Sequence, residues 1–92
     1  MRKAYEIICR GKVQGVFYRA SAKEEADMLN LVGWVKNIPN GEVHMYAEGE
    51  DEDIQRFIYW CERGPIYSKV SEVLAEETYF EEGHTSFEIK RD

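Results

Sequence analysis

Gly11-Lys12-Val13-Gln14-Gly15-Val16-Phe17-Tyr18-Arg19 joins a strand pattern to a helix pattern through a turn bracketed by two glycines, and the fold follows from what lies on either side of it. Upstream, Lys3 to Arg10 alternates, with Tyr5, Ile7 and Cys9 on one face and Glu6, Ile8 and Arg10 on the other, the period of a half-buried strand. Downstream, residues 19–31 are rich in Ala, Lys, Glu, Met and Leu, contain no Gly or Pro, and repeat Ala22, Ala26 and Leu29 at helical spacing. Gly33 is expected to close this helix.

Further out, Trp34 to Ile38 reads as a short strand, and Pro39-Asn40-Gly41 as a tight turn, because Asn-Gly adopts the positive φ that hairpins need. Glu42 to Glu48 alternates again, with Val43, Met45 and Ala47 expected inward and His44 and Tyr46 outward. The acids Glu50-Asp51-Glu52-Asp53 suit a helix N-terminus, where the macrodipole favours negative charge, better than a metal site. Ile54, Phe57, Ile58 and Cys61 then form a core-facing stripe that Gly64-Pro65 ends. Residues 70–80, with Val70, Val73, Leu74, Tyr79 and Phe80, and Ser86 to Lys90, with Phe87 and Ile89 on one face, read as strands around a Glu81-Glu82-Gly83-His84 loop. The order is βαββαβ. It predicts an α+β fold of the ferredoxin-like split β-α-β type, an antiparallel sheet of four to five strands with two helices on one face, in one domain over 1–92. That architecture serves many functions and decides none of them.

Composition narrows the classes. Ninety-two residues with 43% hydrophobic and 13% aromatic content make a single small core. No apolar run is long enough to cross a bilayer, and the first residues lead into a strand rather than a signal peptide, so a cytoplasmic monomer with no membrane partner is expected. Cys9 and Cys61 fall on apolar faces as small buried hydrophobes. Trp34 and Trp60 read as packing residues, and His44 and His84 as surface residues. The net charge of −6 disfavours nucleic acid, yet residues 1–23 carry six bases against one acid. Arg10, Lys12 and Arg19 of that group fall in or beside the glycine turn, a positive focus in an acidic body.

The chemistry of the turn is that of an anion cradle: N–H groups unpaired in a turn and in a helix's first turn converge, and Arg19 offers a planar fork for two oxygens. It is neither GxGxxG nor GxxxxGK[ST], and a tight connection carrying an exposed Arg would look the same. A second segment resolves its meaning. Gly11 to Arg19, followed by Gly33-Trp34-Val35-Lys36-Asn37, closely resembles the acylphosphatase family, whose signatures are a G-[RK]-V-Q-G-V-x-[FY]-R loop and a G-[WY]-V-x-N strand about twenty residues later. The resemblance extends over essentially the whole chain, through Asn40-Gly41 and Gly64-Pro65 to the final Phe-x-Ile strand.

The resemblance implies hydrolysis of acyl phosphates to a carboxylate and inorganic phosphate, with no metal and no cofactor. It assigns phosphate binding to Arg19 with the backbone N–H groups of Gln14, Gly15, Val16, Phe17 and Tyr18, and orientation of the attacking water to Asn37; Lys12 is a candidate electrostatic tuner. Inorganic phosphate or sulfate would be product-like ligands. Such chemistry makes sense without His or Cys in the motif. A carboxylate leaving group with a pKa of about 4 needs no general acid, and phosphoryl transfer depends chiefly on positioning and charge neutralisation. Two other classes stand beside it: a non-catalytic module binding a phosphorylated metabolite, which lacks a flanking domain here, and a ferredoxin-like nucleic-acid binder. The outward set Glu6, Glu42, His44, Tyr46 and Glu48 is mostly acidic, which weighs against the latter.

Overall fold

A computed structural model describes residues 1–91 as five strands and two helices. In chain order they are β1 (Arg2–Lys12), α1 (Tyr18–Met28), β2 (Val32–Asn37), β3 (Val43–Glu50), α2 (Asp51–Arg63), β4 (Lys69–Glu77) and β5 (Phe87–Lys90). The sheet order is β4-β1-β3-β2-β5, and the first four strands pair antiparallel. β5 is the exception: it lies parallel to β2, with Gly33 opposite Phe87 and Val35 opposite Ile89.

Both helices cover the same face. Ile7 and Cys9 of β1, Val35 of β2, and Val43, Met45 and Ala47 of β3 meet Ala22 and Ala26 of α1 and Ile54, Phe57, Trp60 and Cys61 of α2 in one buried cluster. Burying this apolar surface is the main force holding the layers together. Trp60 replaces the expected Ile58 in the fully inward stripe, and Ile58 is only partly buried. α2 starts with Asp51, Glu52 and Asp53 in its first turn and carries Arg63 in its last, matching the macrodipole at both ends.

Four expectations need correction. α1 stops at Met28 rather than at residue 31, because Asn30 turns left-handed (φ 58°) and Leu31 donates back to the Ala26 carbonyl at 2.9 Å. Gly33 is therefore no helix stop. It sits inside β2 at φ 143°, where a Cβ would overlap the Tyr46 carbonyl oxygen, so only glycine allows β2 and β3 to close up there. Tyr46 is not exposed either, at 1% accessibility on the face away from the helices. Residues 78–86 cross that face: Glu81 N–H donates to the Tyr46 hydroxyl, which donates to Glu48, both at 2.7 Å. Trp34 Nε1 and His84 both reach the Glu81 carboxylate. β4 accordingly ends at Glu77, leaving Tyr79 and Phe80 in this crossing segment, exposed.

No helix is long and apolar enough to cross a membrane among the described residues.

Candidate active site

The segment between β1 and α1 is fixed from below and open above. Val13 and Val16 are buried in the core, while Gly15 (φ 74°) and Phe17 (φ 62°) take left-handed conformations between them and around the helix start. Gly15 does so without strain. Phe17 pays a steric cost, lies 79% exposed, and accepts the first helical bond from Ser21 N–H at 3.0 Å. Among the described residues, no backbone carbonyl accepts from the N–H groups of residues 14 to 18. N–H groups without a backbone partner at the start of a helix are the donors that an anion there would use.

Tyr18 anchors this arrangement. Its hydroxyl is buried, donates to the Cys61 carbonyl at 2.7 Å and lies 3.3 Å from Cys9 Sγ. The reason is legible in the sequence of α2: the helical partner of that carbonyl would be the N–H of residue 65, which is Pro65 and has none. Tyr18 supplies the missing donor. Burial, reinforced by the two neighbouring cysteines, pushes its phenol far above the ordinary range, so it stays protonated.

Gln14 ties the loop to the β2–β3 turn, donating from Nε2 to the carbonyls of Ile38 at 2.8 Å and Glu42 at 2.9 Å. Asn37, the last residue of β2, is thereby held beside the loop. Its Oδ1 is buried and has no hydrogen-bond partner. Arg19, the second residue of α1, donates from Nη1 to the Lys90 carbonyl of β5 at 3.4 Å, a long contact that leaves most of the fork unused.

These groups border one hollow of about 350 Å³, whose walls include Val13, Gly15, Phe17, Arg19, Asn37, Ile89 and Arg91. That volume is at the lower end for a metabolite site. Of the residues singled out in the sequence, Arg19, Asn37, Gly15, Phe17 and Tyr18 come together there. The Gln14 side chain is spent on the β2–β3 turn and the Val16 side chain is buried in the core, which leaves only their backbone N–H groups on the loop. Lys12 does not reach it: it stands exposed at the end of β1, opposite Lys69 of β4. Arg10 is on the other face, held by Glu42 at 2.6 Å and Glu72 at 3.0 Å. The expected trio of bases thus reduces to Arg19, and the second cation comes from the far end of the chain as Arg91. Its signal was present in the alternation Phe87, Ile89, Arg91, which continues one face of β5 past its last paired residue. No group of three or more His, Cys, Asp or Glu side chains capable of holding a metal occurs among the described residues.

The fold defines a small ferredoxin-like α+β protein with a hollow beside the loop between β1 and α1. Comparison with known proteins makes the class specific. The Acylphosphatase family model matches residues 5–89. A protein named Acylphosphatase from Methylococcus capsulatus is 40% identical over 90 residues, 98% of each chain. Its namesake from Aeropyrum pernix is 46% identical over 85 residues, 91% of this chain and 84% of the relative. The crystal structure of acylphosphatase from Bacillus subtilis superposes with a TM-score of 0.92 at 40% identity, covering 99% of this chain and 100% of that one. The chain belongs to the acylphosphatase family, and it is an enzyme of that kind, with acyl phosphates as its substrate class.

Proposed function

We propose that the hollow hydrolyses the carboxyl–phosphate bond without metal or cofactor, with Arg19 and the N–H groups of residues 14–18 holding the phosphoryl group and Asn37 holding the water. The observation that carries this reading is the buried, unpartnered Asn37 Oδ1 beside Arg19. A buried acceptor left unpaired costs about 1–3 kcal/mol, and a water hydrogen placed on it removes that cost. A carboxamide can orient a water in this way but is too weak a base to take its proton.

The water oxygen attacks phosphorus in line with the acyl oxygen. The P–O bond to the acyl group breaks, its electron pair leaves as a carboxylate, and the water proton passes to a phosphoryl oxygen, giving dihydrogen phosphate. Negative charge on the equatorial oxygens is met by a guanidinium and by dipoles that need no reorganisation, which is the largest contribution available to such a site. The carboxylate, with a pKa of about 4, departs unprotonated at neutral pH.

The test is hydrolysis of benzoyl phosphate in the presence of a chelator. Wild type should turn it over. Arg19→Ala should lose both phosphate binding and turnover, and Arg19→Lys most of both, since an ammonium lacks the fork. Asn37→Ala should still bind inorganic phosphate while kcat falls roughly a hundred- to a thousandfold. Near-normal turnover by Asn37→Ala would remove the water-orienting role.

A further inference from the structure

The two edges of the sheet are unequal. β5 is four residues long, whereas β4 runs for nine, from Lys69 to Glu77, and pairs on one side only, with β1. Thr78 N–H donates to the Ala4 carbonyl at 2.8 Å, so the even-numbered residues at this end of β4 turn their backbone groups toward β1, and by alternation Val73, Ala75 and Glu77 turn theirs outward. An outward row of backbone donors and acceptors is a template for another strand. The residues around this edge are close to palindromic in character about Val73. Tyr67 and Tyr79 lie six positions before and after it, Ile66 and Phe80 seven, and all four are exposed. Lys69 and Glu77 lie four positions before and after it, with opposite charges.

We propose that β4 is the seam of a homodimer, pairing antiparallel with β4 of a second copy about a two-fold axis through Val73, so that two five-stranded sheets join into one. The two Val73 residues exchange N–H···O bonds across the axis. In that register Lys69 meets the partner's Glu77 at both ends of the seam, where Glu77 otherwise makes a 3.9 Å contact with Lys3. Tyr67 lies level with the partner's Tyr79 and Ile66 with the partner's Phe80, and Leu74, 41% exposed, lies diagonal to its own copy. A slip of one residue sets the outward groups of Val73 against Leu74, whose own are spent on β1, and moves Lys69 away from the acid that complements it. The hollow is left open, since its strand residues come from β2 and β5 at the other side of the sheet. A seam of this length is at the small end of interface sizes, so a dissociation constant of roughly 1–100 µM is expected.

The experiment is sedimentation velocity of the full chain from about 1 µM to about 1 mM. Wild type should pass from monomer to dimer over that range. Lys69→Glu and Glu77→Lys should each weaken self-association roughly fivefold, since each turns two attractive pairs repulsive. An equal mixture of these two variants should associate at least as tightly as wild type, because both pairs of the mixed seam again carry opposite charges. Ala75→Pro removes an outward N–H without touching the ladder to β1, and should abolish the dimer while benzoyl phosphate turnover stays as in wild type. If Ala75→Pro does not fold, the mixing experiment decides alone. A wild type that stays monomeric throughout overturns the seam. So does a dimer of equal strength in Lys69→Glu, Glu77→Lys and Ala75→Pro, which sets the contact elsewhere, and so does assembly beyond two copies, which a closed two-fold forbids.

Discussion

At the scale of single residues, the loop depends on one buried hydroxyl. Tyr18 takes the place of the amide proton that Pro65 lacks, so the start of α1 and the end of α2 are joined by one buried hydroxyl. Tyr18→Phe keeps the ring and removes that donor. It should cost about 1–3 kcal/mol, because the Cys61 carbonyl is left dry and unpaired. Thermal unfolding should show it as a melting point lowered by roughly 4–8 °C per kcal/mol. Sequence alone offers Tyr18 as an aromatic in a loop and Pro65 as a helix stop; their connection is invisible because it depends on two segments 47 positions apart meeting in the core. Asn37 was legible through the resemblance, but its buried, empty acceptor was not, since burial is a property of the assembled hollow.

At the scale of elements, the β2–β3 turn that Gln14 ties to the loop carries a charge cluster on its far face. Glu42 lies between His44 and Arg10, with Asn40 adding a hydrogen bond, and these partners hold its carboxyl down at about 2 against an ordinary 4.5, His44 contributing most. A depressed carboxyl stabilises the fold fully above its unfolded value, and the contribution disappears as pH falls through the folded one. The stability gap between wild type and Glu42→Gln should therefore be full at pH 6 and close progressively between about pH 4.5 and 2, measured by melting each protein across that range. Strand and helix positions were readable from periodicity, because apolar spacing reports directly on which face is buried. The period failed where a face was buried by something other than the helices. Tyr46 alternates as an outward residue and does point away from them, yet the segment from 78 to 86 covers it.

At the scale of the whole molecule, an acidic body carries a hollow lined by two arginines, residues 19 and 91. Charge counted along the chain suggested a basic N-terminal quarter, but pairing sorted those bases: Arg10 is neutralised by Glu42 and Glu72, and of them Arg19 lines the hollow. β5 makes the other half. It is four residues long, yet it delivers Phe87 into the core, edge-on to Phe57 at 5.7 Å, and presents the Lys90 carbonyl to Arg19. Phe87→Ala should cost about 3–5 kcal/mol. That is a large part of the 5–15 kcal/mol typical of a small domain, and the denaturant midpoint should fall accordingly. The parallel seam between β2 and β5 also sets a timetable. A ribosome working from the N-terminus completes the loop and Asn37 early, and the last strand to emerge is the one that docks Arg19 and closes the wall with Ile89 and Arg91. The hollow is thus among the last parts of the chain to be finished, and a nascent chain that has not yet reached residue 87 carries the loop between β1 and α1 without the strand that completes its wall.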